Sequence, residues 1–266
     1  LTGLEYSRFR NDIKNAYGSA PALDMNNPVY ENVAFPDAQP FQLNTQHQTG
    51  LYIQDQVEWD KWVATIGGRY DWSEQSTLVR SSGQNVARND EQFTWRAGVN
   101  YLFDNGITPY FSYSESFEPN PSKAWAATLA DNIAYTPSKG KQYEAGVKYV
   151  PKDLPVVITG AVYELTKTNN LTTDPTNPFA QVPAGEIRSR GAELEAKAAV
   201  NANINMTASY TFIDAEYTKD TSLKGNTPAQ IPKHMASLWG DYTFNSGALS
   251  GLTLGTGGRF IGSSYG

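Results

Sequence analysis

The sequence lacks cysteine altogether, contains only two histidines and has no long run of apolar residues. The absence of cysteine excludes disulfides and thiolate chemistry, although it does not fix the compartment. No stretch reaches the roughly 18 consecutive apolar residues that a membrane-spanning helix would need. The two histidines, His47 and His234, are far apart and no carboxylate pattern surrounds them. We therefore expect no metal site.

An excess of positive charge and an export signal are also missing. The net charge of −6 argues against a nucleic-acid partner, which would usually require a basic surface. The first residues show neither the basic nor the apolar region of a signal peptide, so we expect any export signal to lie upstream.

What the sequence does contain is a strict alternation of apolar and polar residues. From Phe93 to Tyr101 the odd positions are apolar or aromatic, and the even ones are Thr, Arg, Gly and Asn. Successive side chains of a strand point to opposite faces, so such a segment has one apolar and one polar face. We predict about eleven strands of this kind: 1–10, 48–59, 62–73, 92–103, 107–117, 140–150, 155–167, 186–199, 203–216, 233–244 and 250–262. Many exceed the roughly 5–6 residues of ordinary strands and match the roughly 9–11 of tilted membrane strands.

The predicted connections alternate between short and long. Short turns rich in Asp, Asn and Gly follow every second segment, and the others are joined by long connections at 11–47, 74–91, 118–139, 168–185 and 217–232. Outer-membrane barrels have this arrangement, with tight periplasmic turns and long extracellular loops. Aromatic residues lie toward the strand ends on the apolar face, as in an interfacial girdle. These features predict an all-β fold, part of a transmembrane β-barrel of antiparallel strands. A soluble β-sandwich, whose aromatics would form a core, is the alternative.

The polar face carries charged residues that invite a catalytic interpretation. Glu193 and Glu195 lie two residues apart on one predicted strand, beside Lys197. Paired carboxylates can serve in general acid–base chemistry, but a neighbouring lysine on the same face suits an ion-pair lattice better. Ser and His form no recognisable nucleophile arrangement in the sequence. We expect no catalytic residues and no enzymatic activity.

Two arginines in the first segment form a more specific pattern. Leu4 and Tyr6 mark the apolar face of this strand, and Arg8 and Arg10 continue it. If the following connection is extracellular, both guanidinium groups point outward at headgroup height, where they could bind lipopolysaccharide phosphates. Two further arginines, Arg188 and Arg190, are expected to do the same. A bulge would reverse the faces.

Five further motifs follow one another along the chain, namely Gly67–Trp72, Ser112–Pro119, Gly140–Lys148, Arg190–Glu195 and Ile231–Trp239. Together they resemble the TonB-dependent receptors that import ferric hydroxamate siderophores, particularly the ferrichrome type, and the resemblance covers essentially the whole chain. It implies a 22-stranded barrel in the outer membrane of a Gram-negative bacterium, closed by an N-terminal plug that contacts TonB. Residues 1–266 would then be a partial barrel domain, without the plug, the early strands and the last strands. Two open edges are not tolerated in lipid, so we expect the piece alone neither to insert stably nor to transport.

The resemblance also implies site residues. Tyr17 matches an aromatic that lines the siderophore pocket, and Arg8 and Arg10 match positions that contact lipopolysaccharide. The substrate would be an iron(III)–siderophore complex whose iron the protein does not bind directly, with no cofactor. Receptors for ferrioxamine or coprogen, a porin and a barrel enzyme are the alternatives. Segment 18–47 corresponds to a surface loop used by phages, but its sequence departs from that pattern, so phage or colicin binding stays open.

Overall fold

The computed structural model describes residues 1–19, 22–28, 34–120, 135–174, 177–220 and 223–265. Within these ranges the chain forms eleven β-strands and one 3-10 turn at Gly247–Leu249. The strands are β1 (Thr2–Asn15), β2 (Gln39–Trp59), β3 (Trp62–Val79), β4 (Gln84–Tyr101), β5 (Ile107–Glu118), β6 (Ser138–Tyr149), β7 (Val156–Asp174), β8 (Asn177–Ala199), β9 (Ile204–Lys219), β10 (His234–Thr243) and β11 (Thr253–Ile261). The predicted all-β class and the number of strands are confirmed.

All eleven strands belong to one sheet in which each strand pairs antiparallel with its neighbours in sequence. The strand order runs from β1 to β11 without a crossover, and β1 and β11 form its two open edges. A sandwich would divide these strands between two packed sheets. The single sheet therefore excludes the β-sandwich for the described part of the chain.

The register carries the alternation of the sequence across the sheet. Leu51 lies opposite Tyr70, which lies opposite Phe93, whereas Gly50 lies opposite Asp71. We call the side with Tyr70 the apolar face and the side with Asp71 the polar face. Of the described hydrophobic residues only Val86 and Ala215 are buried, while large apolar side chains are exposed along the whole apolar face. So extensive an exposed apolar surface indicates contact with something other than water.

Aromatic rings form two bands on the apolar face. Near the short turns, the rings of Trp62 and Tyr101 lie 4.8 Å apart, and further along β3 those of Tyr70 and Trp72 lie 4.7 Å apart. The two tryptophans are separated by ten residues, about 33 Å along the strand at roughly 3.3 Å per residue. With a tilt of about 40° this spacing corresponds to about 25 Å, the height of the apolar band of membrane barrels.

The strands are longer than predicted at the end opposite the short turns. The expected long connection 74–91 is wrong, because β3 and β4 continue as a hairpin that leaves only 80–83 between them. Similarly, β7 and β8 extend far into the expected connection 168–185. The extension of β3, from Glu74 to Thr77, is polar on both faces and therefore lacks the alternation that identifies a strand. Pairing there depends on backbone groups, which any sequence supplies.

The connections at the opposite end are short, as predicted. At one of them Gly106 has a φ of +86°, and a Cβ at this position would lie 2.1 Å from the carbonyl oxygen of Val150. Only glycine fits both the left-handed backbone and this close approach. In the described residues, no helix has the length and hydropathy required to cross a bilayer.

Candidate functional site

Arg8 and Arg10 lie on the apolar face, beyond the outer aromatic band. Tyr6 is opposite Thr49, which is opposite Trp72, so Arg8 is one step and Arg10 two steps past that row. The register of β1 shifts only between Ile13 and Lys14, so no bulge reverses the predicted orientation. Both arginines are exposed, and no described acidic side chain pairs with either of them. Two free guanidinium groups next to the apolar band form a surface suited to anions.

The second pair of arginines lies on the same face but is already engaged. Arg190 Nε donates to Glu164 at 2.6 Å, and Arg188 forms an ion pair with Glu216. In both cases the carboxylate comes from an adjacent strand, β7 or β9. The predicted orientation of Arg188 and Arg190 is thus correct, but their positive charge is neutralised within the sheet.

Both histidines of the chain are hydrogen-bonded to tyrosines rather than grouped with acidic residues. His47 Nδ1 lies 2.8 Å from the Tyr6 hydroxyl, and His234 Nδ1 lies 2.9 Å from the Tyr210 hydroxyl. The Tyr6–His47 pair lies directly below Arg8, which is the cross-strand neighbour of His47. The imidazole of His47 therefore lies beside Arg8, at the same position along the strands.

Tyr17 lies outside the sheet, two residues after the last residue of β1. Its side chain is 71% exposed, and its hydroxyl accepts a hydrogen bond from Asn15 Nδ2 at 3.3 Å. The ring is therefore accessible to solvent in the connection that joins β1 to β2, at the end of the sheet opposite the short turns. Tyr17 is separate from the surface formed by Arg8 and Arg10, which lie within β1.

The polar face is organised around an ion network that spans three strands. Arg69 on β3 donates to Asp71 on the same strand at 2.8 Å and to Glu5 on β1 at 2.8 Å. The guanidinium crosses β2 at Gly50, where a Cβ would lie 2.0 Å from Arg69 Nη2. Gln48 adds a hydrogen bond of 3.0 Å to Asp71, which is only 3% exposed. Glycine at position 50 is what allows β1 and β3 to be tied across the strand between them.

Carboxylates collect further along the polar face, around an open cleft of about 200 Å³ between β5 and β9. Glu144 accepts hydrogen bonds from Tyr110 at 2.7 Å and Gln142 at 2.9 Å. Glu195 pairs with Lys197 at 2.7 Å, which is the ion pairing expected from the sequence. The cleft presents side chains that accept hydrogen bonds and attract cations, and the described part of it contains no nucleophile activated by a base.

The comparisons with known proteins agree with this two-faced sheet. The family model described as "TonB dependent receptor-like, beta-barrel" matches residues 1–266. The chain belongs to this receptor family. A protein named "Ferrichrome outer membrane transporter/phage receptor", from Escherichia coli K12, is 59% identical to all of this chain. The chain spans 36% of the length of that relative. A "Ferrioxamine B receptor" from Salmonella typhimurium is 38% identical over 98% of the chain, which spans 37% of it.

Solved structures of two bacterial receptors share the fold. The siderophore receptor PiuA from Acinetobacter baumannii superposes with a TM-score of 0.77 over 100% of this chain and 43% of its own, at 24% identity. The ferric-catecholate import receptor Fiu from E. coli K12 also gives a TM-score of 0.77, over 99% of this chain and 41% of its own, at 17% identity. At such low identity these structures establish the receptor barrel fold and nothing more specific. Membership of this family removes the porin alternative.

Sequence reasoning missed the partners that decide what each charged group of this receptor domain can do. Glu5 and Arg69 are 64 residues apart, and Arg190 is 26 residues from Glu164. No local pattern links such pairs. Two features of the sequence could have indicated the ion network on the polar face. Arg69 and Asp71 are two residues apart and therefore lie on the same face of one strand, and the neighbouring strand carries a glycine.

Proposed function

We propose that this chain forms part of an outer-membrane receptor for TonB-dependent uptake of a ferric hydroxamate siderophore of the ferrichrome type. The chain would supply part of the barrel wall and several outer connections. The observation that carries this proposal is the 59% identity to a ferrichrome transporter over the whole chain, combined with the membrane-like apolar face. The function is transport by binding and release, without a catalytic step.

The ferrichrome type is favoured over ferrioxamine by sequence similarity across the same residues. The ferrichrome relative is 59% identical and the ferrioxamine B receptor 38% identical, over nearly equal lengths. The family resemblance implies that the substrate is an iron(III)–siderophore complex whose iron the protein does not bind directly. The receptor therefore needs surfaces that contact the outside of the complex, and the iron is cargo rather than a cofactor of the protein.

Tyr17 is the ligand-contact residue that we propose in this chain. Its exposed ring follows directly after β1, on the outer side of the sheet. An aromatic face suits a compact and nearly neutral complex, and the hydroxyl adds a hydrogen-bonding group. Within the described residues its hydroxyl accepts a hydrogen bond from Asn15, and at 3.3 Å this bond is long enough to be given up when a ligand binds.

We further propose that Arg8 and Arg10 contact lipopolysaccharide. Their support is geometric, because they are free, exposed and next to the outer aromatic band. Contact with TonB would require the plug that the family resemblance implies. Attachment of a phage or a bacteriocin stays a prediction, which plaque formation and killing assays on cells carrying the receptor would test.

Uptake of radiolabelled ferrichrome tests the proposed function. The full-length protein that contains this chain would be expressed in cells lacking other siderophore receptors, with and without TonB. We expect TonB-dependent uptake that is weakened in Tyr17→Ala and retained in Tyr17→Phe. Normal uptake in Tyr17→Ala would remove the assignment of Tyr17 but leave the class standing. Uptake of ferrioxamine B in place of ferrichrome, with the receptor present in the outer membrane, would contradict the assignment of ferrichrome as the ligand.

A further inference from the structure

The outer part of the β7–β8 hairpin stands apart from the rest of the sheet. β7 pairs with β6 only up to Thr168, and β8 pairs with β9 only from Glu186 onward. Beyond these points, in the part of the chain that the structure describes, β7 and β8 pair only with each other, from Asn170 opposite Ala184 toward the tip. We call this two-stranded ribbon, formed by the described residues of 170–184, the outer hairpin. A two-stranded ribbon has little stability of its own, so its direction must be set at its base.

The base of the outer hairpin is a bend at Asn169. This residue has a φ of +56°, in the left-handed region that asparagine tolerates better than most side chains. The pairing of β7 with β8 passes from Thr168 directly to Asn170, so Asn169 is left out of the ladder. Its backbone carbonyl is therefore available for other partners. A single residue with an unusual backbone angle at the root of a ribbon has the form of a pivot.

Side chains from the ends of two other strands hold this pivot. Asn120, just after β5, donates from Nδ2 to the carbonyl oxygen of Asn169 at 2.8 Å and to that of Thr136 at 2.6 Å. Ser138 Oγ, at the start of β6, lies 3.1 Å from the same Asn169 oxygen and 3.2 Å from Asn120 Oδ1. Asn169 Nδ2 in turn donates to the carbonyl oxygen of Pro137 at 3.0 Å.

The network is buried although it lies at the outer ends of β5, β6 and β7. Asn120 is 7% exposed and Ser138 is 2% exposed. Buried polar groups that lose their partners are costly, so the bonds of this network form or break together. Water cannot easily replace them one at a time.

We propose that Asn120 and Ser138 form a latch that fixes the direction of the outer hairpin, with Asn169 as its pivot. With the latch closed, the outer hairpin leaves the barrel wall at one angle, and Asn120 and Ser138 are held at the same point. With the latch broken, the hairpin turns about Asn169 and occupies a range of angles. The latch thus couples the outer ends of β5, β6 and β7, which would otherwise vary independently. This inference does not depend on which ligand the receptor takes.

Pulsed electron paramagnetic resonance would measure the angle as a distance distribution. Spin labels would be attached at Thr172→Cys, in the outer hairpin, and Lys141→Cys, on β6, in the full-length protein in lipid bilayers. The 266 residues contribute no native cysteine that would take up label. We expect one narrow distribution without further substitution, and a distribution at least about twice as wide in the double variant Asn120→Ala/Ser138→Ala.

Asn170→Ala is the matched control, because among the described residues the side-chain amide of Asn170 contacts only the carbonyl oxygen of Leu171, at 3.4 Å. This variant should leave the width unchanged. Asn169→Gly keeps a residue suited to the left-handed backbone and removes the side-chain hydrogen bond to Pro137. We therefore expect a small increase in the width of the distance distribution. An unchanged width in the double variant, in protein that migrates as a folded barrel, would overturn the latch. If the double variant does not fold, the same measurement is made on the single variant Ser138→Ala. A distribution that is no wider than in the unsubstituted protein would then also overturn the latch.

Discussion

Two pairs of arginines occupy the outer border of the apolar face, yet their electrostatic situations differ. On the neighbouring strand β2, Arg8 lies opposite His47 and Arg10 lies opposite Thr45, and no described carboxylate reaches either arginine. Arg188 and Arg190 face Glu216 and Glu164, and each forms an ion pair. Residue type, spacing and orientation are the same in both pairs. Within the described residues, the neighbours of β8 on both sides supply a carboxylate, whereas β2, the described neighbour of β1, supplies none.

An arginine that points outward at the border of the apolar face is therefore not by itself an anion site. A guanidinium that already holds a carboxylate must break that pair before it can bind a phosphate, whereas a free one loses only water. The first pair is therefore the better candidate for contact with lipopolysaccharide. The second pair contributes mainly to joining β7, β8 and β9 at the membrane border.

The largest expected effect is the loss of lipopolysaccharide on removal of the free pair. Charged hydrogen bonds contribute about 1.5–3 kcal/mol each, so Arg8→Ala/Arg10→Ala should reduce the affinity at least about tenfold. The measurement is lipopolysaccharide retained by the purified full-length receptor, quantified from its phosphate after washing in detergent. Retention equal to that of the unsubstituted protein would show that the free pair is not the contact.

A gain of binding should follow when the second pair is released from its partners. In Glu164→Gln/Glu216→Gln the charge of each carboxylate is removed while its shape is kept, so Arg188 and Arg190 become available to phosphate. We expect retained lipopolysaccharide to rise by about threefold, less than the full value of a new charged contact because both side chains also lose an anchored geometry. No rise would mean that position, rather than pairing, separates the two arginine pairs.

A smaller effect is expected from Arg188→Ala/Arg190→Ala, the counterpart of the first variant. Lipopolysaccharide retention should fall by less than about twofold, and unfolding in urea should show a loss below about 1 kcal/mol for each exposed pair. Arg190 and Glu164 are 56% and 39% exposed, so solvent weakens their attraction. A loss of binding as large as that of the free pair would remove the distinction between them.

The smallest effect concerns an ion pair in the short turns at the opposite end of the sheet. Lys61 Nζ donates to Asp104 at 2.5 Å, and this hydrogen bond lowers the pKa of the Asp104 carboxyl and raises that of the Lys61 amine. Because the carboxyl pKa is lowered in the folded state, its contribution is present above the ordinary value of about 3.9 and is lost as pH falls through the lowered value.

Carbon-13 NMR of the labelled Asp104 carboxyl would follow this titration. The midpoint should lie below the ordinary carboxyl value in the unsubstituted protein and return toward it in Lys61→Ala. The Asp104 side chain is largely exposed and that of Lys61 is about one-third exposed, so solvent screens the pair and no measurable change in thermal stability should accompany the shift. A midpoint that does not respond to Lys61→Ala would show that the pair does not persist in solution.

Much of the fold could be predicted because the membrane imposes a simple pattern on the strands that cross it. Phe93 to Tyr101 alternates strictly, and the structure has β4 there. The pattern ends where the membrane ends, since neither face of a strand outside the bilayer has to be apolar. For that reason the extension of β3 beyond Trp72 and the short turn at 80–83 were missed.

The candidate site was predictable to a lesser degree. The orientation of Arg8 and Arg10 followed from counting residues in one strand, and the register confirms it. Tyr17 rests on a family resemblance, and its role as a ligand contact stays a prediction. Glu164 could not be recognised as the partner of Arg190, because that pairing depends on which residues of β7 and β8 lie opposite each other.

Alternation and turn residues act locally, so the amino-acid sequence was enough to predict about eleven two-faced strands with short turns at one end. The tertiary structure was needed to show which arginines have a described carboxylate partner, which strand Arg69 crosses to reach Glu5, and that Asn120, Ser138 and Asn169 meet. These outcomes depend on register. A shift of one residue between neighbouring strands would move every side chain to the other face, and register is fixed by the sheet as a whole rather than by any one strand.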